Sequence, residues 1–180
     1  MSSSRERILD SFESALIRDG ERAATMDAVA AAADVSKGGL LYHFPSKEAL
    51  VDGLADRLLA LAEKDREAML AAVDGAARYY VRTSVFEDSA LDRALVSMAR
   101  LAQQGYPTAK ASLASIQDEW LDALETQLGN RTTARAVKLL GDGLYYDAAF
   151  FASAGSRQPA GQGIDELLQI VDLIVTTRLP

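Results

Sequence analysis

Cysteine is absent from this 180-residue chain and histidine occurs once, so composition excludes a disulfide framework, a thiolate metal site and a His-based zinc centre. A reducing compartment fits that composition. There is no run of about 18 apolar residues of the kind a membrane span needs. Met1-Ser2-Ser3-Ser4-Arg5-Glu6-Arg7 leads into an amphipathic pattern rather than the apolar core of a signal peptide, so the expectation is a soluble, cytoplasmic protein that is not exported. Alternating segments rich in β-branched residues are missing too, which removes the case for strands. Basic residues are outnumbered, 19 Lys+Arg against 26 Asp+Glu, so no bulk positive field can draw in an anionic partner. Neither a nucleophile–base pair nor a strand-to-helix phosphate loop stands out. Asp142 and Asp147 could be imagined as a catalytic pair, but nothing separates them from solvated or pocket-lining acids. The chain reads as a non-enzyme that calls for no cofactor.

What is present is 49% hydrophobic content, ample for a packed core, and alanine- and leucine-rich segments of helical period. Pro45, Pro107 and Pro159 fall between periodic segments, and Gly20, Gly105, Gly129 and Gly155 near their ends. The fold class expected is all-α, with no internal repeat. A first helix begins after Ser3 or Ser4, where Ser3 and Glu6 have capping-box spacing, and buries Ile8, Phe12, Ala15 and Leu16 before Gly20. Thr25 is placed to cap a short second helix that buries Met26, Val29, Ala30 and Ala33. Asp34 tolerates a left-handed turn and Ser36 can cap a third helix at about 37 to 43, only about 10 Å long and too short to stand alone. Leu40 and Phe44 must pin it.

This pinning leaves Lys37, Gly38, Gly39, Tyr42 and His43 facing outward. Two helical glycines cost about 1 kcal/mol each relative to alanine, and close approach to a groove wall is a reason to keep them. Pro45 stops the helix and Ser46 caps the next, putting new backbone N–H groups and Lys47 where a phosphate could sit. From Asp34 to Glu48 there is no intervening acid, although residues 1 to 50 carry six basic and eight acidic side chains. Lys37 and Lys47 bracket that window with His43 inside it, enough for a local positive surface. Each residue also has a plainer role. His43 could be a surface histidine, Tyr42 could lay its ring on the first helix, and Lys47 could be a solvated first-turn lysine, although the helix dipole disfavours a cation there. The last conflict points to an anionic partner for Lys47. Glu48 and Asp52 read as ordinary surface acids.

The fourth helix continues from Ser46 through Leu50, Leu54, Leu58 and Leu61, and further helices are expected at roughly 65 to 73, 76 to 86, 89 to 104, 108 to 128, 132 to 154 and 164 to 178. Leu113, Ile116, Trp120, Leu124 and Leu128 form one stripe. Val137, Leu140, Leu144, Ala148 and Phe151 form a second, and Ile164, Leu167, Leu168, Val171, Ile174 and Val175 a third. The segment Arg157–Gly163 reads as a loop between the last two helices. Met98, Trp120, Tyr145 and Tyr146, with Tyr79, Tyr80, Tyr106 and Phe150, are candidates for an effector pocket or for ordinary core. Gly141 and Gly143 suit either a close helix crossing at a dimer interface, the favoured reading, or a bend.

Over residues 5 to 55 the pattern of Thr25, the alanine-rich second helix, Val35-Ser36-Lys37-Gly38, Leu40, His43-Phe44 and Ser46-Lys47-Glu48-Ala49-Leu50 resembles the DNA-binding domain of the tetracycline-repressor (TetR) family of bacterial transcriptional regulators. Beyond residue 55 only length and helicity agree. The resemblance implies a helix-turn-helix domain at 1–50 with a connecting helix from 46, and an effector-binding and dimerisation domain at 51–180. It further implies a homodimer that reads a palindromic operator in double-stranded DNA, with its interface built from the helices at 132 to 154 and 164 to 178, and an unidentified small-molecule effector. Carried over residue by residue, Lys37, Gly38 and Gly39 become candidates for base edges, and Thr25, Ser36, Tyr42, His43 and Lys47 for phosphates. Three positions depart from the family pattern. Asp34 stands where glycine is usual, Gly39 where threonine is common and Leu41 where tyrosine is usual, and the last two remove hydroxyls that commonly touch DNA, leaving Tyr42 part of that role. The function expected is a ligand-responsive dimeric transcriptional regulator, a repressor released by its effector. The alternative is a helical small-molecule-binding or scaffold protein whose helix-turn-helix serves protein contacts.

Overall fold

Hydroxyl side chains set the first four helix starts, each taking up a backbone N–H that the first turn leaves without a partner. Ser3 accepts from the Glu6 N–H and opens α1 (Ser4–Asp19). Thr25 accepts from Ala28 and opens α2 (Met26–Ala32), and Ser36 accepts from Gly39 and opens α3 (Lys37–His43). Ser46 accepts from Ala49 at the start of α4 (Lys47–Leu70). The helices α5 (Ala76–Thr83), α6 (Ala90–Gln103), α7 (Pro107–Leu128), α8 (Arg131–Phe151) and α9 (Gln162–Thr176) follow. This computed structural model describes residues 3–151 and 162–177, and the described residues hold nine helices and no strand. Pro159, Gly155 and most of the segment Arg157–Gly163 lie outside the described residues, as do the side chains of Phe150 and Phe151.

The chain divides into two units, one formed by Met1–Ala62 with Asp88–Ser115 and the other by Glu63–Glu87 with Ile116–Pro180. In the first, α1 packs on α2, α3 and α6. Ile8, Phe12, Ala15 and Leu16 are buried as their spacing requires, joined by Leu9 and by the carboxylate residue Glu13. Asp34 carries the turn between α2 and α3 at φ 53, and the Arg7 guanidinium donates to the carbonyl of Ala33 at the end of α2. Leu40 is fully buried and Phe44 nearly so, which is what holds the seven-residue α3 in place. The Phe44 ring lies against the backbone of α4 at Gly53, where an added Cβ would stand 2.9 Å from its Cε1 and 3.1 Å from Leu9 Cδ2.

Two expectations are corrected. The helix expected at 65 to 73 is not separate, because α4 runs unbroken to Leu70. No glycine or proline falls between Gly53 and Gly75 to stop it, and the charged stretch Glu63-Lys64-Asp65-Arg66-Glu67 had only obscured the apolar period. Pro107 does not lie between helices but opens α7, at a position where its missing N–H is of no consequence.

In the second unit α5 packs on α8 and α9, and α8 on α9. Gly141 of α8 permits a close approach within the chain, since a Cβ there would meet Tyr80 Cε1 at 2.6 Å and Ser84 Oγ at 2.7 Å. A Cβ at Gly143 would meet nothing within 4 Å. The crossing that Gly141 serves therefore lies within one subunit, between α8 and α5, and not between copies.

Replacing Gly53 by Ala sets a helix-propensity gain of about 1 kcal/mol against overpacking of about 1–3 kcal/mol. Because the obstructing atoms are a buried ring and a buried leucine, overpacking wins. The expected outcome for Gly53→Ala is a lower urea midpoint, a net loss of about 1–2 kcal/mol, with helical circular dichroism unchanged in the absence of urea.

Candidate functional site

The outward face of α3 is built by subtraction. Once Leu40 and Phe44 turn inward, Lys37, Gly38 and Tyr42 are left exposed, Tyr42 at 85%, with Gly39 and His43 partly covered. Tyr42 stands edge-on to His43, ring centroids 5.2 Å apart. A Cβ on Gly38 would meet nothing closer than Ser36 Oγ at 4.0 Å, so this chain's own packing does not require glycine there. Thr25 and Ser36 are exposed caps whose oxygens already accept from Ala28 and Gly39. The eight candidates all belong to the first unit and lie on α3 or in the turns that flank α2 and α3, or next to them in sequence.

The charges on this surface differ from their reading in the sequence. The window from 35 to 47 holds no acid, yet both of its lysines meet carboxylates from outside it. Lys37 Nζ lies 2.8 Å from Asp27 Oδ1, an exposed pair that water screens. Lys47 is more firmly held. Its ammonium donates to the Glu21 carbonyl at 2.8 Å and to Glu21 Oε1 at 2.6 Å, and the two side chains are only 21% and 19% exposed. The anion that answers Lys47 within the chain is therefore Glu21, from the loop between α1 and α2. The Tyr106 hydroxyl, just before α7, donates to that same Oε1 at 3.0 Å. Glu48 folds back on its own backbone N–H and on Ser46, and those bonds hold its carboxyl below the usual range. It occupies the helix start that would otherwise offer its donors to a phosphate.

Packing ties α1 to α6, and charge ties it to both α6 and α4. Arg93 Nε approaches the buried Glu13 carboxylate at 3.3 Å, Arg57 reaches Glu6 at 2.7 Å and Asp10 at 2.8 Å, and Arg100 donates to the Leu16 carbonyl at 2.8 Å. Burial raises the Glu13 pKa, with Arg57 and Arg93 opposing the rise.

The pocket candidates fall in both units. Met98 is fully buried in the core of the first unit, and Tyr106 turns its hydroxyl to Glu21. Trp120 is buried in the second unit, Tyr145 partly so beside Phe86 at 6.4 Å between centroids, and Tyr146 is mostly exposed. Around Trp120 the second unit carries polar groups that the sequence reading had left unconnected. Tyr80 packs edge-on to Trp120 at 6.0 Å and donates to Asp142 Oδ1 at 2.6 Å. Lys138, itself buried, donates to Asp142 Oδ2 at 2.7 Å and to Gln117. Tyr79 donates to Asp65 at 3.0 Å. Burial raises the Asp65 pKa against the lowering effect of hydrogen bonds from Tyr79 and Trp120, while burial beside Asp65 pushes the Tyr79 hydroxyl up to about 12. The i,i+4 spacing of Lys138 and Asp142 was the available signal for part of this network.

Lys47 and Tyr106 hydrogen bonds, in that order, hold the Glu21 pKa below its usual value of 4.5. A depressed carboxylate contributes stability that is present above the unfolded pKa and is lost as pH falls through the folded one. Glu21→Gln should accordingly shrink the loss of stability on acidification below about pH 4.5, measured as urea midpoints across that range.

Residues 8–54 match the family described as bacterial regulatory proteins, tetR family, and residues 74–172, more than half the chain, match a tetracyclin repressor-like C-terminal domain. No curated protein matches the chain. Among solved structures, Salmonella enterica GusR superposes with a TM-score of 0.72 at 20% identity, over 97% of this chain and 96% of that one. The multidrug binding protein EbrR, complexed with imidazole, gives 0.68 at 18% identity over 99% and 98%. The TetR family transcriptional regulator PfmR from Thermus thermophilus gives 0.58 at 20% identity over the whole of both chains. At these identities the superpositions speak for the fold. With its reader helices and most of its remaining length matched separately to the same group of regulators, this all-helical chain belongs to the tetR family of bacterial regulatory proteins.

Proposed function

We propose that the protein is a cytoplasmic homodimeric repressor that binds a palindromic operator through α3 and releases it when a small molecule occupies the second unit. The observation that carries the DNA-reading half is the exposed edge of α3, where Gly38 is required by nothing in its own chain while Leu40 and Phe44 fix the helix from behind. Lys37, Gly38 and Gly39 face base edges in this reading, and Thr25, Ser36, Tyr42, His43 and Lys47 face phosphates. None of the described helices is long and apolar enough to cross a membrane.

Dimerisation is supported by the exposed apolar side chains of the last two helices, Leu139 and Tyr146 on α8 and Ile170 and Leu173 on α9, with Leu173 61% exposed. Large apolar residues left in water on neighbouring helices call for a partner surface. The effector region in this proposal is the surroundings of Trp120 and Tyr145, with Tyr79, Tyr80, Asp65 and Asp142 supplying polar contacts. EbrR, a structural neighbour, has been solved with imidazole and with malachite green, which fits a helical unit of this shape holding aromatic ligands. An effector that binds the DNA-incompetent state more tightly shifts the equilibrium away from the operator.

Selection from a random-sequence duplex pool should recover one palindromic motif with half-sites about one helical turn, or a multiple of it, apart. Recovery of no motif, with or without candidate effectors, would defeat the proposal. On the recovered site, Lys47→Ala should weaken binding and flatten the salt dependence, while Lys37→Ala or Gly39→Ala should change which sequences are preferred. For the dimer, Leu173→Glu should shift the sedimentation mass towards that of one chain and weaken operator binding, since a charge buried at an interface without a partner is strongly destabilising.

A further inference from the structure

We infer that Glu21 is a specificity-determining residue for DNA binding, a resident carboxylate that competes with DNA phosphate for Lys47 and is held in place to do so by the Tyr106 hydroxyl. The inference rests on the reading of Lys47 as a phosphate ligand. An ammonium has three N–H groups, and in Lys47 the Glu21 carbonyl at 2.8 Å and Glu21 Oε1 at 2.6 Å take two of them. A phosphate approaching the third meets a carboxylate already in contact with the same nitrogen. It must either tolerate that like charge or displace it.

Four further observations make Glu21 more than a passing surface partner. Both side chains of the pair are about four-fifths covered, so the attraction is less screened than in the exposed Lys37–Asp27 pair. Tyr106 fixes the same oxygen that Lys47 uses, at 3.0 Å, so the carboxylate is positioned before Lys47 meets it. Tyr106 is itself fixed, since it follows Gly105 at φ 95 and its N–H donates to the Leu101 carbonyl at the end of α6. A cleft of about 350 Å³, lined by Glu21, Glu48, Gln104 and Tyr106, leaves room beside the carboxylate for it to swing once Lys47 is taken.

The consequence is selectivity. A random duplex offers phosphates but few other contacts, so the ion pair holds and Lys47 contributes little. An operator that seats α3 in its groove brings a phosphate to Lys47 with enough companion contacts to displace Glu21. The acid thereby lowers background binding more than it lowers operator binding.

The test is the affinity of the full-length protein for a random-sequence duplex and for the palindromic operator recovered by selection, over a series of salt concentrations, for wild type, Glu21→Gln, Tyr106→Phe, Lys47→Ala and the Glu21→Gln/Lys47→Ala double variant, each first shown to unfold cooperatively in urea. On the random duplex Glu21→Gln should raise affinity roughly three- to ten-fold and steepen the slope of log affinity against log salt by about 0.9, the contribution of one released lysine, and on the operator it should raise affinity by less. Tyr106→Phe should move both quantities in the same direction by less. In the Lys47→Ala background the gain from Glu21→Gln should vanish. An equal gain in that background would mean that loss of any acid near DNA helps, and would overturn the proposal. If Glu21→Gln changes nothing while Lys47→Ala weakens binding and flattens the slope, the proposal also fails and Lys47 remains a phosphate ligand. If Lys47→Ala leaves affinity for the operator and its salt slope unchanged, the reading beneath the proposal fails with it.

Discussion

The seat of the Phe44 ring on the backbone of α4 is the contact on which α3 and its exposed edge depend. A seven-residue helix has too few internal hydrogen bonds to persist in water, so α3 exists because Leu40 at its middle and Phe44 at its C-terminal end give up water. Phe44 can do this only because Gly53 has no side chain, and Leu9 of α1 closes the same space. The Arg5 guanidinium stands over the ring at 5.2 Å. Exposure of Tyr42 and the free edge at Gly38 are consequences of that seat, not independent features.

Charge on this surface is organised by the same economy of space. An acidic chain cannot present a broad positive face, and folding brings Asp27 and Glu21 onto the two lysines that sequence order had kept apart from any acid. A surface compensated in this way binds anions weakly unless geometry is right. Tighter binding must come from several contacts made together, which favours a fixed α3 over a flexible basic arm.

In the second unit a related device serves packing. Gly141 lets α5 lie close to α8, and that closeness brings Tyr80 within reach of Asp142, which Lys138 neutralises one turn away. A half-buried carboxylate with a buried lysine and a phenol as hydrogen-bond partners is satisfied locally, so it costs the surrounding helix packing little. Asp142 is therefore occupied by partners of its own and differs from the exposed Asp147 with which it might have been paired for catalysis.

The sequence by itself determined the helical fold, the caps at Ser3, Thr25, Ser36 and Ser46, the left-handed turn at Asp34 and the inward pair Leu40 and Phe44. These features are set by interactions within a few residues, or by a period that a one-dimensional pattern displays. Only the tertiary structure decided that α4 continues to Leu70, that Gly53 and Gly141 serve close approaches inside the chain, and that Met98 and Tyr106 belong with the first unit while Trp120 and Tyr145 belong with the second. It alone decided that Lys47 is answered by Glu21 and Tyr106. Those partners stand 26 and 59 positions from Lys47, Glu21 before it and Tyr106 after. No local spacing rule links such distant residues, because their meeting is fixed by how α1, α4 and the turn before α7 pack and not by the order in which they occur.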